Sequence, residues 1–386
     1  MRQERNSSVV YPSSWIGVLG GGQLGRMFVH AAQRMGYHVQ VFDPEPNCPA
    51  GQAADLHLCP GDPSQAQNDL IRMANECAAI TLEFENVDVD YVSQAAKHTC
   101  TRPSAQFLAV CQDRILEKKS MRDLLIPTTS FVHCSDAREA QDAGMQFGWP
   151  LVLKTTRSGY DGKGQFIVRS AEELQLRWSQ LNSNSVIAEQ WVEYIAEVSM
   201  LVARNANEEV VTYPLFENSH HNHILDITRC PVSEELQTFE NQAQNICKTI
   251  VKSFDVQGLI CVEFFITRDG RLLVNEIAPR PHNSGHLTIE AFECSQFEMQ
   301  VRSLCNLPLP TPEQLKPAAM ANLLGDVWTK GIPKWENVLC HPHAHLHLYG
   351  KQQPRPGRKM GHLTCLADTA QEAVDLAVQL RERLAQ

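Results

Sequence analysis

The feature that most restricts the fold is the apolar run Trp15-Ile16-Gly17-Val18-Leu19, followed at once by Gly20-Gly21-Gly22-Gln23-Leu24-Gly25 and an amphipathic stretch from Arg26 to Met35. It reads as strand, tight turn and helix. His38 to Phe42 reads as a second strand ending at Asp43-Pro44, and Ala79 to Leu82 as a later buried strand ending at Glu83. Strands alternating with helices predict an open parallel α/β sheet. Residues 1–14 lack this patterning and are expected to form a disordered tail.

The glycine spacing Gly20-x-Gly22-x-x-Gly25 fits a dinucleotide fingerprint, with Asp43 where a ribose-binding acid would sit. Alone it suggests a nicotinamide-dependent oxidoreductase. The physics is broader, because a helix N-terminus offers unpaired N–H groups and a positive dipole end to any phosphate. A sugar phosphate would serve as well, and a tight turn with no ligand is the plain alternative.

Net charge limits the partners. At a formal −10 over 386 residues, the chain is a poor ligand for nucleic acid or an anionic membrane, and neither is expected as a partner. An anionic ligand must be held by locally placed cations. The thirteen cysteines are odd in number, run from Cys48 to Cys365 and include no Cys-x-x-Cys. Reduced thiols are expected, and with no apolar signal region after Met1 the expected location is cytoplasmic.

Domain punctuation comes from proline. Pro127-Thr128-Thr129 ends the helix that includes Arg114 to Leu124, and the Pro-rich Leu307 to Pro317 announces a last domain. The expected division is an N-terminal α/β domain over 15–115, a two-part unit over 116–310 and a C-terminal domain over 311–386. The middle unit should hold a small α+β module at about 127–190 and a strand-rich part at about 191–310.

In that module, Ser158-Gly159-Tyr160-Asp161-Gly162-Lys163-Gly164-Gln165 joins the expected strands Pro150 to Lys154 and Gln165 to Val168. It lacks the Walker pattern, which leads from strand to helix. Glycines at this density make a lid able to close over phosphates, with Lys154 beside it; a plain hairpin turn is the alternative.

The richest segment runs from Val262 to His286. Asp269-Gly270 between two apolar runs signals a two-residue hairpin turn with Arg268 opposite Arg271, which places Glu263 opposite Glu276. Two carboxylates at about 5 Å and an effective dielectric near 20 repel by roughly 3 kcal/mol. A divalent cation with oxygen ligands offsets that cost and binds substrate phosphates as well, so magnesium is the expected occupant; a solvated edge pair is the alternative. The polar run Ala278-Pro279-Arg280-Pro281-His282-Asn283-Ser284-Gly285-His286 adds an anion-binding Arg280 and a proton-handling His282.

Two clusters remain. His341, His343, His345 and His347 share a parity that on a strand would put them on one face, as a zinc or nickel site or as a partly exposed strand. Lys351, Arg355, Arg358 and Lys359 form a basic loop, either a solvated turn or a phosphate clamp.

Taken together, Gly20 to Met27, the Gly159 to Gln165 lid, Asn275 to His286 and Gly357-Arg358-Lys359-Met360-Gly361-His362 occur in the order found in one family. Over nearly its full length the chain resembles the 5-(carboxyamino)imidazole ribonucleotide synthases of purine biosynthesis, which are ATP-grasp enzymes. The resemblance implies a pre-ATP-grasp α/β domain, an ATP-grasp unit and a small C-terminal domain. It also implies ATP- and bicarbonate-dependent carboxylation of 5-aminoimidazole ribonucleotide through carboxyphosphate, and a homodimer.

By the same resemblance ATP would be held by Arg114, Lys154, Gly159, Tyr160, Asp161, Gly162, Lys163, Gly164, Gln165, the hinge Glu189-Gln190-Trp191-Val192, Glu197, His220, Asn275 and Glu276. Magnesium would sit on Glu263 and Glu276. Carboxyl transfer would fall to Asp161, Lys163, Arg280 and His282. The ribonucleotide would meet Gln23, Leu24, Glu83, Tyr160, Arg280, Asn283, Lys351 and Arg358. Another ATP-grasp carboxylate-amine ligase, of the formate-dependent type, is the nearest alternative; the oxidoreductase reading leaves the lid and the paired glutamates unexplained.

Overall fold

The structure is a computed structural model describing residues 8–157, 164–181 and 183–384. Its strands are β1 (Trp15–Leu19), β2 (His38–Phe42), β3 (Leu56–Leu58), β4 (Ala79–Leu82), β5 (Cys100–Thr101), β6 (Phe131–Cys134), β7 (Leu151–Thr155), β8 (Gln165–Val168) and β9 (Val186–Gln190). There follow β10 (Tyr194–Arg204), β11 (Val210–Thr212), β12 (Phe216–His221), β13 (Ile224–Cys230), β14 (Gly258–Thr267), β15 (Leu272–Ala278), β16 (Ala318–Leu324), β17 (Ala344–Leu348) and β18 (Lys359–Leu366).

The first five strands form the expected parallel sheet, in the order β3-β2-β1-β4-β5. Its strands are buried on both faces, which is why they read as continuous apolar runs. One face is covered by the helix Gln23–Arg34, but Phe297, Val301 and Leu304 of the helix Gln296–Leu304 join the same core. This ties the N-terminal sheet to the unit that follows. The tail is also seated from Val10 onward, contrary to the expected disorder of 1–14: Val10 N–H donates to the Cys305 carbonyl at 2.9 Å and Tyr37 Oη donates to the Val10 carbonyl at 2.7 Å. Residues 1–7 lie outside the described residues.

The module between is a four-stranded antiparallel sheet, β6-β9-β7-β8, closed by the helices Ala137–Phe147 and Ala171–Leu181 around Leu151, Leu153, Val168 and Leu174. A nine-stranded sheet follows the path β15-β14-β10-β12-β13-β16-β18-β17, with β11 paired to β10. Its C-terminal strands join through β16 on β13, Ile227 facing Ala321, so the sheet runs unbroken past residue 310. All thirteen cysteines are free. No described helix is long and apolar enough to cross a membrane.

Candidate active site

The hairpin β14–β15 presents the paired carboxylates. Glu263 faces Glu276 as expected, but the turn differs from the two-residue form. Thr267 closes it with Arg271, the Thr267 N–H donating to the Arg271 carbonyl at 2.9 Å, so three residues make the loop and Gly270 takes φ +78. Near the turn Phe264 therefore faces Val274, and a bulge restores Glu263 to Glu276. The bulged residue is Asn275, whose carbonyl accepts from Lys118 Nζ at 3.3 Å.

The pair is electrostatically asymmetric. Burial opposes ionisation of Glu263, but His282 Nε2 at 3.1 Å, with His220 and Arg280 further off, holds its carboxyl down at about 2. Glu276 is pushed the other way, by burial and by the facing Glu263, while Arg114 and Lys154 counteract. Behind it Glu117 accepts from the Ile277 N–H at 3.0 Å, and burial together with Glu276 lifts its carboxyl to about 8. Oxygen donors so crowded suit a hard cation that also takes phosphate oxygens, and among the described residues no third His, Cys, Asp or Glu completes a closed metal cage. Magnesium fits such a half-built site.

A cationic floor lies under the residues expected to hold ATP. Lys154 at the edge of β7 donates to Glu189 Oε2 at 2.9 Å, and the fully enclosed Lys118 stands 3.8 Å from Glu189 Oε1 and donates to Thr128 Oγ1 at 3.1 Å. Arg114 Nη1 donates to the Thr155 carbonyl at 3.0 Å, which fixes it beside β7. Glu189 is buried, whereas Gln190 and Trp191 are exposed at the strand end and Val192 is half-buried. On the nine-stranded sheet His220 Nδ1 lies 3.1 Å from Glu197 Oε2, and Tyr194 Oη donates to Glu197 Oε1 at 2.8 Å. Burial works against protonation of His220, but Glu197 outweighs it and raises the imidazole above its ordinary value. Of the lid, Gly164 (φ +70) and Gln165 are placed, with Gln165 Nε2 3.3 Å from His223 Nδ1. Gly159, Tyr160, Asp161, Gly162 and Lys163 lie outside the described residues.

The glycine turn is not an open phosphate cradle. The Gly22 and Gly25 N–H groups donate to Glu83 at 2.8 and 3.2 Å, and the Gly21 N–H donates to Asp43 at 2.7 Å. Two carboxylates thus hold the amides that a pyrophosphate would need, and Asp43, expected as a ribose ligand, is a loop brace. A Cβ on Gly22 would meet both Glu83 carboxylate oxygens at 2.7 Å, so glycine is demanded here by Glu83. Leu24 points into the core, leaving the half-buried Gln23 beside the turn. Glu83 also lies within the field of Arg280, which pairs with Glu85.

Ala50 and Gln52 link the start of the basic loop to this turn. Gln52 Nε2 donates to the Gly350 carbonyl at 3.1 Å, while the Ala50 N–H donates to the Gly21 carbonyl at 2.9 Å. Lys351 Nζ donates to the Lys359 carbonyl at 2.8 Å, and Arg358 Nη1 to the Gln353 carbonyl at 2.8 Å. Asn283 is buried with both side-chain polar atoms lacking a protein partner, as a ligand-facing amide would be. The histidine ladder is corrected: His341 and His343 precede β17, and only His345 and His347 lie on it. His347 instead pairs with Glu290 at 2.6 Å and stacks on His362 at 4.4 Å.

Glu85, Glu117, Lys118, Ser199 and Asn218 were not anticipated. Lys118 had a signal, because Ile115, Lys118 and Met121 follow at helical spacing and share the buried face. Ser199 on β10 and Asn218 on β12 meet only through pairing between strands, and Glu85 and Glu117 only through their contacts with Arg280 and the Ile277 N–H, which no local pattern announces.

Comparison with known proteins follows the same three parts. Residues 14–112 match the ribonucleotide synthetase preATP-grasp domain, 119–297 the ATP-grasp domain, and 318–375 the phosphoribosylaminoimidazole carboxylase C-terminal domain. N5-carboxyaminoimidazole ribonucleotide synthase of Bacillus subtilis is 37% identical over 370 residues, 95% of each chain. The structure of N5-carboxyaminoimidazole synthetase from Staphylococcus aureus complexed with ADP superposes with a TM-score of 0.90 at 34% identity, covering 98% of this chain and 99% of that one. The Aspergillus clavatus N5-carboxyaminoimidazole synthase in complex with ADP and 5-aminoimidazole ribonucleotide gives 0.86 at 31% identity, covering 97% and 100%.

Proposed function

The chain belongs to the N5-carboxyaminoimidazole ribonucleotide synthase family of ATP-grasp ligases, and from that premise we propose how its residues divide the work. It is an ATP-dependent ligase that carboxylates 5-aminoimidazole ribonucleotide in purine biosynthesis. The carboxyl donor in this reading is bicarbonate. A bicarbonate oxygen attacks the γ-phosphorus of ATP, giving carboxyphosphate and ADP. The exocyclic amine then bonds to the carboxyl carbon, the carbon–oxygen bond to phosphate breaks, and the amine proton leaves as phosphate departs.

The observation that carries this assignment is the Glu263–Glu276 pair with His282 at 3.1 Å and Arg280 close by. Glu263 and Glu276 hold magnesium, which when bound neutralises charge on the transferring phosphate. Lys154, Arg114 and the Glu189–Val192 hinge orient ATP, with Glu197 and His220 on the opposite wall and Asn275 beside the pair. The lid from Gly159 to Gln165 closes over the phosphates and excludes water, which would otherwise hydrolyse carboxyphosphate. Arg280 and His282, with Asp161 and Lys163 from the lid, line the carboxyl transfer. Gln23, Glu83, Tyr160 and Asn283 face the ribonucleotide, and Lys351 and Arg358 take its phosphate.

Thirteen free thiols suit a reducing compartment such as the cytoplasm. Two copies per functional unit belong to the same reading, and sedimentation velocity checks that number. ADP release measured with 5-aminoimidazole ribonucleotide, with and without bicarbonate, tests the reaction. Stimulation that needs both compounds is expected; equal rates without bicarbonate would remove it as the carboxyl donor.

A further inference from the structure

The basic loop is the turn of the hairpin β17–β18, and its root is Tyr349. The Tyr349 N–H donates to the Met360 carbonyl at 3.0 Å, one step beyond the pairing of His347 with His362 and of Leu348 with Gly361. Tyr349 is only 1% exposed and lies in the core that Leu24, Met27 and Phe28 build with β1. A residue of the C-terminal domain thus plugs the N-terminal one. Gly350 follows at φ +76, and a Cβ there would meet Gln52 Oε1 at 2.5 Å and Arg26 Nη1 at 3.0 Å. The chain therefore turns sharply against the N-terminal domain just before Lys351.

Lys351 and Arg358 are held from different sides. Arg358 sits in a turn braced within the C-terminal domain, where the Gly325 N–H donates to the Arg358 carbonyl at 2.8 Å and the Gly357 N–H to Asp326 Oδ2 at 2.9 Å. Lys351 is held over Tyr349. Its Nζ stands 5.7 Å from the centre of the Tyr349 ring, within reach of a cation–π contact, and donates to the Lys359 carbonyl at 2.8 Å. The ring is fixed at its tip, where Tyr349 Oη lies 2.9 Å from His362 Nδ1. His362, 0% exposed, is stacked on His347 at 4.4 Å and 9°, and His347 Nε2 lies 2.6 Å from Glu290 Oε1 in the ATP-grasp unit. A phenol buried in one core, with its oxygen tied to a stacked imidazole, has one orientation to offer the lysine.

We propose that Tyr349, locked by His362, is a positioning residue that holds the Lys351 ammonium in place for the ribonucleotide phosphate, and so strengthens selection of the phosphorylated substrate over its bare riboside. Both residues act through Lys351. An ammonium already fixed over the ring gives up less freedom when the phosphate arrives than one on a free lysine stem. This rests on the reading of Lys351 as a phosphate ligand given above.

The test compares the Michaelis constant for 5-aminoimidazole ribonucleotide with the inhibition constant of 5-aminoimidazole riboside against it, the ratio of the two measuring what the phosphate contributes. Lys351→Ala should reduce that ratio by about tenfold or more. Tyr349→Leu, which removes the ring, should reduce it nearly as far, with kcat and the Michaelis constant for ATP within about twofold of wild type. In the Lys351→Ala background the same change should add little. Tyr349→Phe keeps the packing and loses only the contact with His362; it should reduce the ratio by about threefold and answers the question if Tyr349→Leu does not fold. His362→Asn, which keeps a polar group beside the phenol, should preserve more of the ratio than His362→Leu. A merely structural lesion would weaken ribonucleotide and riboside alike and leave the ratio as in the wild type. A wild-type ratio in both Tyr349 variants, with Lys351→Ala impaired, overturns the positioning role alone. A wild-type ratio in Lys351→Ala overturns the phosphate assignment of Lys351, and the proposal with it.

Discussion

Glu263 and Glu276 face each other because two irregularities in one hairpin cancel. The three-residue turn closed by Thr267 and Arg271 shifts the pairing by one, and the bulge at Asn275 shifts it back. Without the bulge, Glu263 would oppose an amide. The bulge is held from outside the sheet, by Lys118 on the Asn275 carbonyl and by the Val274 N–H donating to the Pro127 carbonyl at 2.8 Å.

Removing one charge of the pair should separate catalysis from stability. Glu276→Gln is expected to lower turnover by about 100-fold or more. Because Glu276 is half-buried beside a like charge, the unfolding free energy should hold or rise by up to about 1 kcal/mol. Urea unfolding and ADP release on the same preparation check this, and a variant as active as the wild type would refute the metal assignment.

Lys118 should matter without touching substrate. Lys118→Met leaves Glu189 with Lys154 alone and frees the Asn275 carbonyl. The expected loss is about 3 kcal/mol of stability. A raised Michaelis constant for ATP should accompany it, since Glu189 begins the proposed adenine hinge. Denaturant titration and initial rates over a range of ATP concentrations measure the two; no change in either would show that the lysine clamps nothing.

Arg358 is expected to act on one substrate only. Arg358→Ala should raise the Michaelis constant for 5-aminoimidazole ribonucleotide by about tenfold or more and leave that for ATP unchanged. Equal effects on both would place the residue outside a phosphate clamp.

The Glu197–His220 pair should leave a pH signature in the nucleotide-free protein. The folded state raises His220 above its ordinary 6.5, so its contribution is fully present below about pH 6.5 and is lost as pH rises through the folded value. The stability difference between the wild type and His220→Gln should be largest at acid pH and shrink toward alkaline pH. A difference independent of pH, followed by urea unfolding at several pH values, would contradict the pairing.

Where structure depends on contiguous residues, it was legible. The strand, glycine turn and helix of 15–34 fold as read, because local periodicity and glycine conformational freedom act over a few residues. The opposition of Glu263 and Glu276 was also read correctly, although by counting from a two-residue turn that is not there. The basic loop and the Arg280–His282 segment were visible as polar runs with no place in a core. What the glycine amides bind was misjudged, because Glu83 is 61 and 58 positions away from Gly22 and Gly25 and arrives only when β4 pairs with β1.

By itself, then, the sequence determined the parallel sheet, the presence of facing acids and the polar runs proposed to handle phosphate and carboxyl groups, since each depends on neighbours along the chain. Tertiary structure decided which charges remain available. It spent the amides of the glycine turn on Glu83 and Asp43, placed Lys118 under the bulge, and gathered Ser284, Ser199 and Asn218 behind His282. Those assignments depend on register between strands far apart in sequence, and a shift of one residue would turn each side chain to the other face of the sheet.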